Sequence, residues 1–109
     1  MRAALERGIA FALREYLRHR IKEYGVVERV VIDAKKRMIH IELLPKGEER
    51  PISVTVEGFS VHREGEEYLL SLHRITASRE WLERLLQNFV AGRPLPIPAP
   101  LGKLLLSLF

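Results

Sequence analysis

In two segments of the chain, apolar residues recur at the three- and four-residue spacing of an amphipathic helix. The first segment covers residues 2–24 and stops before Gly25. The second begins after a cap at Thr76 or Ser78 and is closed by Gly92. Its apolar stripe is typical of a helix face that packs in a core, and it consists of Trp81, Leu82, Leu85, Leu86, Phe89 and Val90.

Between these helices, four runs rich in branched residues alternate apolar and polar positions, as strands with one buried face do. They cover residues 26–33, 38–44, 52–61 and 68–75, and short turn segments separate them. In the third run the apolar phase changes at Gly58, which predicts a β-bulge. Short connections favour an antiparallel meander over parallel crossovers.

The first of these runs carries valine or isoleucine on both of its faces. Val26, Val30 and Ile32 are expected to point one way, and Val27 and Val31 the other way. The second apolar face either packs beneath a loop or lines a contact with a partner.

We therefore predict an α+β fold: an N-terminal helix, a four-stranded antiparallel β-meander, a C-terminal helix, and then a proline-rich arm with a short apolar terminal helix. Residues 1–92 are predicted to form a single domain, and residues 93–109 the arm and tail. The layout resembles that of cystatin-like folds, in which one helix lies on a curled meander. It also resembles small lipid-binding folds, in which helices close a sheet over an apolar ligand. The chain contains no motif that is diagnostic of either.

The proline-rich arm is expected to be extended, because four prolines alternate with other residues between Arg93 and Leu101. The tail that follows is almost entirely apolar and, as a helix, would be about 13.5 Å long, which is too short to cross a bilayer. It is expected to dock in the protein's own core or a partner's groove, or to contact a lipid surface. The candidate interaction residues of the tail are Leu101, Leu104, Leu105, Leu108 and Phe109.

The first helix offers a second candidate surface, formed by the small residues Ala4, Gly8 and Ala12 at four-residue intervals. Small side chains at this spacing let another backbone approach closely. This face lies either on the protein's own sheet or against a second subunit.

These apolar surfaces lead to two functional hypotheses. The first is a non-enzymatic interaction module that forms a homodimer through the tail or the small-residue face. The alternative is a lipid-binding or membrane-peripheral module, in which the tail inserts and Arg93 and Lys103 contact head groups.

The net charge of +4 on 109 residues is unevenly distributed. Residues 1–25 carry six basic and three acidic side chains, residues 26–90 carry ten and eleven, and residues 91–109 carry two and none. The predicted sheet is therefore not a basic platform, and its strands lack interleaved aromatic residues that could stack on bases. We do not expect a nucleic-acid partner. The chain has no cysteine, which excludes disulfides, thiolate metal clusters and a cysteine nucleophile.

The histidines and serines do not form a recognisable catalytic or metal-binding motif. His40 and His73 are predicted two strands apart, about 10 Å, which is a long reach for one metal ion. Ser60 precedes His62, and Ser71 precedes His73, by two positions, but neither pair has an acidic residue to orient it. We expect no enzymatic activity, metal or cofactor.

Charged residues precede any apolar run at the N-terminus, and no run of about 18 apolar residues occurs anywhere in the chain. We therefore expect neither a secretory signal nor a membrane-spanning helix. The expected location is cytoplasmic, or at a membrane surface under the alternative hypothesis.

Overall fold

A computed structural model describes the backbone of residues 2–108 and the side chains of residues 3–108. The fold is α+β, with an N-terminal helix, a curled antiparallel sheet and a C-terminal helix, as predicted. Along the chain the elements are α1 (Arg2–Ile21), β1 (Gly25–Asp33), β2 (Met38–Pro45), β3 (Ile52–Glu64), β4 (Glu67–Ala77), α2 (Glu80–Phe89), β5 (Leu95–Ile97) and α3 (Ala99–Leu106). In the described chain the sheet has five strands in sequence order, so the prediction of four is wrong.

The fifth strand comes from the proline-rich arm. Leu95, Pro96 and Ile97 pair antiparallel with Leu70, Leu69 and Tyr68 of β4. Only alternate residues of a strand direct their N–H groups toward one neighbour, so an edge strand can carry proline where the N–H would face solvent. The arm is extended, as predicted, but it also completes the sheet.

The apolar tail docks in the core of its own chain. Leu101, Leu105 and Leu108 are all buried. Gly102 is buried against Tyr68 of β4, so closely that a Cβ at Gly102 would lie 2.5 Å from the Cβ of Tyr68. Of the three environments expected for the tail, namely its own core, a partner's groove or a lipid surface, the structure shows the first: the tail packs on the protein's own sheet.

The start of α2 differs from the prediction that Thr76 or Ser78 caps it. Arg79 occupies the N-cap position and makes no side-chain capping hydrogen bond. The Ser78 hydroxyl oxygen instead accepts a hydrogen bond from the backbone N–H of Ser53, with 3.0 Å between Oγ and N, and this bond links the end of β4 to β3. Ser78 is therefore a strand-linking residue.

The change of face at Gly58 is not a bulge. The β3–β4 register runs without a shift from Val54, opposite Ala77, to Glu64, opposite Glu67. Gly58 has a φ of 76°, which only glycine adopts readily, and this turns the strand.

The irregularity in the sheet lies in β1, where the pairing with β2 shifts between Val27 and Arg29. Because of this shift, Val27, Val30 and Ile32 are buried together, whereas Val26 and Val31 are exposed. The predicted division of β1 into two faces is therefore wrong, since it assumed a regular strand.

One continuous core joins the inner face of the sheet to the helices. Its largest fully buried side chains are Phe59, Ile9, Ile39, Ile52, Ile75, Leu105 and Val27. Among the helices of the described residues, none has both the length and the apolarity needed to cross a membrane.

Candidate functional site

The inner face of the curled sheet is covered unevenly. α1 packs mainly against β1, α2 packs against β4, and α3 packs against β3, β4 and α1, which leaves part of the inner face of β2 and β3 between α1 and α2. A cavity of about 730 Å³ opens there. Its floor consists of strand side chains, of which Ile41, Leu43 and Leu72 are partly exposed, whereas the others are buried: Val27, Val54, Val56, Leu70 and Ile75.

The walls of this cavity are also apolar. The helices supply Leu13, Tyr16, Leu17 and Ile21 from α1, and Trp81, Leu82, Leu85, Leu86 and Val90 from α2. At the end near β5, the wall is formed by Leu95, Pro96 and Ile97. The proline-rich arm is therefore part of the cavity as well as part of the sheet.

The sequence pattern of α2 predicts a core stripe, but the structure buries only one residue of this helix, Leu82. Trp81 and Leu85 line the cavity and are 52% and 47% exposed, and Phe89 is also exposed. The apolar stripe of α2 is wider than the part of the helix surface that packs against β4. The residues of the stripe that do not contact β4 border the cavity or face solvent.

Polar groups of the lining gather at one end of the cavity. Arg20, in the last turn of α1, and Lys46, just after β2, are its charged residues. The exposed Tyr24 lies with them, because the Lys46 backbone N–H donates to the Tyr24 carbonyl at 2.8 Å. We call this end, formed by Arg20, Tyr24, Lys46 and Trp81, the mouth.

Strand register places Trp81 at the mouth. Ala77, at the end of β4, lies opposite Val54 near the start of β3. Ile52, at the start of β3, pairs with Leu43 near the end of β2. The first turn of α2 follows β4 directly, so Trp81 lies at the end of the sheet where β2 finishes.

The candidate interaction residues of the tail fall into two groups. Leu101, Leu105 and Leu108 are buried in the core, whereas Leu104 is 40% exposed. Phe109 lies outside the described residues. The buried leucines present no surface to a partner or a membrane in this arrangement.

The two cations proposed to contact head groups, Arg93 and Lys103, are both exposed. They lie before β5 and within α3. Neither lines the apolar cavity.

The small-residue face of α1 is exposed at Ala4 and Gly8 but not at Ala12. Ala4 and Gly8 are exposed, and no atom lies within 4 Å of the position that a Cβ would take at Gly8. Ala12 is half-buried and packs against the core. This face therefore does not lie flat on the protein's own sheet.

Two of the four histidines lie near hydroxyl groups of a neighbouring strand. His40 Nδ1 lies 3.2 Å from Thr55 Oγ1, and His73 Nε2 lies 3.5 Å from Ser60 Oγ. Ser60 thus contacts a histidine of the next strand, not His62. Within residues 2–108 no cluster of three histidine or acidic side chains could hold a metal ion.

The fold and the cavity define an α+β half-barrel whose inner face is open between two helices. Comparisons of the chain with protein-family models, with curated proteins and with solved structures find no match. The interpretation of the cavity therefore depends on its own residues.

The sequence pattern does not reveal this cavity. Its floor residues have the same alternation as any buried strand face, and the opening depends on the distance between α1 and α2. The one signal for it in the sequence is the wide apolar stripe of α2, which by its spacing alone predicts a core face.

Proposed function

We propose that this chain binds an amphiphile with one long apolar chain and an anionic head, such as a fatty acid, in the cavity between α1 and α2. The observation that carries this proposal is the apolar cavity of about 730 Å³. Small-molecule sites generally have volumes of about 300–1,000 Å³, are mostly apolar, and contain a few polar groups that fix the ligand's orientation.

The apolar chain of the ligand would lie on the floor of the cavity. Each methylene group removed from water contributes about 0.8 kcal/mol. The half-exposed side chains of Trp81 and Leu85 would gain burial in the same step. Ligand binding would thus cover apolar surface that the fold by itself leaves in contact with water.

The anionic head would lie at the mouth, near Arg20 and Lys46. A guanidinium group can bind a carboxylate with two parallel hydrogen bonds, and an ammonium group adds a second positive charge. Tyr24 and Trp81 suit a position between the apolar chain and water, since each has an apolar ring and a polar atom.

This proposal keeps the lipid-binding hypothesis but moves its site from the tail to the cavity. The reason is the burial of Leu101, Leu105 and Leu108 in the core. We propose binding without catalysis, because the charged groups of the described lining, Arg20 and Lys46, lie at the mouth, where they suit an anionic head, and the lining contains no serine, cysteine, histidine or carboxylate.

Fluorescence of Trp81, the single tryptophan of the chain, provides a direct test. The protein is titrated with saturated fatty acids of increasing chain length, each below its micelle concentration. We expect the emission to shift to shorter wavelength, and the Kd to fall by up to about fourfold per methylene until the cavity is filled. A Kd that does not depend on chain length would contradict binding in the cavity.

A matched pair of variants locates the site. Leu85→Glu places a carboxylate in the wall, whereas Leu104→Glu changes a residue of similar exposure outside the cavity. We expect Leu85→Glu to raise the Kd for fatty acid at least about tenfold, because a buried charge without a partner is costly. Leu104→Glu should leave it unchanged, and an equal effect of both variants would refute the assignment.

The position of the head group is tested separately. Lys46→Glu and Arg20→Glu should weaken the binding of a fatty acid much more than that of the uncharged alcohol of the same chain length. Equal losses for acid and alcohol would show that these cations do not contact the head group.

A further inference from the structure

The edge strand β1 is open on one side. In the described chain the sheet order is β1-β2-β3-β4-β5, so β1 pairs with β2 only. β1 is nine residues long, and its exposed face carries Val26 and Val31, which are 53% and 40% exposed. A long edge strand with apolar side chains can readily pair with another chain.

The opposite edge is protected. β5 has three residues, Leu95–Ile97, and prolines occur within it and on both of its sides. Short length and proline are devices by which proteins block edge pairing. The β1 edge therefore differs from the β5 edge in its ability to accept another strand.

The sequence of β1 is complementary to itself. Residues 26–31 read Val-Val-Glu-Arg-Val-Val, with the same apolar pattern in both directions and opposite charges at the centre. Suppose that the β1 strands of two copies pair antiparallel, with the two-fold axis between Glu28 and Arg29. Glu28 of each copy then lies opposite Arg29 of the other copy. Val26 then lies opposite Val31, and Val27 opposite Val30.

The irregularity in β1 makes this register possible. In a regular strand, Val26 and Val31 are five positions apart and would lie on opposite faces. The shift between Val27 and Arg29 gives both of them the exposed face, together with Glu28 and Arg29, and leaves Val27 and Val30 buried. Each exposed residue would therefore meet an exposed residue, and each buried residue a buried one.

We propose that the chain forms a two-fold symmetric homodimer through antiparallel pairing of β1 with β1 of a second copy. The pairing joins two five-stranded sheets into one continuous sheet. It brings together two pairs of exposed valines and two Glu28–Arg29 pairs, and opposite charges across neighbouring strands are stabilising. An isologous contact of this kind closes on itself and forms a dimer, not a filament.

A groove beside this edge has both apolar and charged walls. It lies between α1 and β1 and is lined by the exposed Phe11 and by Arg14, among others. The interface is distinct from the cavity between α1 and α2 and does not depend on ligand binding. It is also distinct from the tail and from the Ala4, Gly8 and Ala12 face, the two surfaces for which the sequence suggested self-association.

Charge reversal tests the interface. Light scattering on a sizing column should give a dimer for the full chain at tens of micromolar, and a monomer would refute the proposal. Glu28→Arg and Arg29→Glu each place like charges in both central pairs and should raise the dimer Kd by about tenfold or more. Glu66→Arg, an equal change of charge at the exposed turn between β3 and β4, should have no effect.

Mixing the two reversed variants provides the decisive result. One copy with Glu28→Arg and one with Arg29→Glu have opposite charges in both central pairs, so a heterodimer should form where each variant alone is monomeric. Failure of the mixture to dimerise would overturn the register. A dimer that resists both single reversals would show that another surface is used.

The register can also be tested by crosslinking, because the chain contains no cysteine. Under oxidation, the double variant Val26→Cys, Val31→Cys should form covalent dimers, since the two positions lie opposite each other between copies. Each single variant should form no covalent dimer, because its cysteines would be about 17 Å apart between the two copies. Crosslinking of the single variants, or none of the double variant, would refute this arrangement.

Discussion

Replacement of Gly102 by alanine tests how the tail is held. A Cβ at this position would lie 2.5 Å from Tyr68 Cβ and 2.6 Å from Cδ1. Carbon atoms in favourable contact are about 3.5–4.0 Å apart. Tyr68 is buried in β4, where it pairs with Ile97 of β5, so its ring cannot move aside without disturbing the docked arm.

The expected magnitude follows from two opposing effects. Inserting an extra carbon into a packed core costs about 1–3 kcal/mol, and the upper part of this range applies because the contacts involve the base of the tyrosine ring. Alanine favours the helix over glycine by about 1 kcal/mol. We therefore expect Gly102→Ala to lower the free energy of unfolding by about 2 kcal/mol.

The same substitution in α1 provides the control. Gly8 is exposed, and a Cβ there would contact nothing within 4 Å. Gly8→Ala should therefore raise the free energy of unfolding by about 1 kcal/mol through helix propensity alone. Urea unfolding followed by circular dichroism and by Trp81 fluorescence measures both variants. If Gly102→Ala stabilises the protein as Gly8→Ala does, α3 is not packed on Tyr68 and the reasoning is wrong.

Three further predictions concern the buried face of α3, the hydrogen bond between Ser78 and Ser53, and the removal of β5 and α3. Leu105→Ala, at a residue with 0% exposure, should lower the free energy of unfolding in urea by about 2–5 kcal/mol, whereas Leu104→Ala should cost much less. Ser78→Ala should cost about 1 kcal/mol in the same assay by removing the hydrogen bond to Ser53, and unchanged helicity by circular dichroism would agree with its not being the cap of α2. A chain ending at Gly92 lacks β5 and α3 and should lose its cooperative thermal transition; a sharp transition near that of the full chain would contradict this.

Local periodicity explains which elements the sequence predicts well. Helix and strand spacing are properties of neighbouring residues, so α1, β1, β2, β3, β4 and α2 all occur near their predicted positions. The pattern also indicated that the apolar tail requires burial. Residue spacing carries no information about which surface would bury it.

The features that the sequence did not predict depend on distant contacts. β5 is a strand because β4 offers it an unpaired edge, and three residues around Pro96 give no periodic signal. The irregularity in β1 is equally hidden, because it appears only in the register with β2. The cavity depends on the separation of two helices that are far apart in the sequence.

The structure links the tail to the cavity through β4 and β5. Leu70 of β4 lies on the cavity floor and pairs with Leu95, whereas Tyr68, two residues earlier, packs against Gly102 of α3. Leu95, Pro96 and Ile97 line the cavity, so an undocked tail would remove one of its walls.

A ligand that binds only the docked form should therefore hold the tail in place. Its stabilising effect would be about 2.7 kcal/mol at a free concentration one hundred times its Kd. By the same linkage, Gly102→Ala should raise the Kd for fatty acid in proportion to the fraction of protein in which the tail is undocked, although Gly102 does not line the cavity. Leu104→Ala, on the exposed side of α3, should leave binding unchanged. If Gly102→Ala destabilises the protein but the Kd does not change, the wall formed by β5 stays in place in the folded variant.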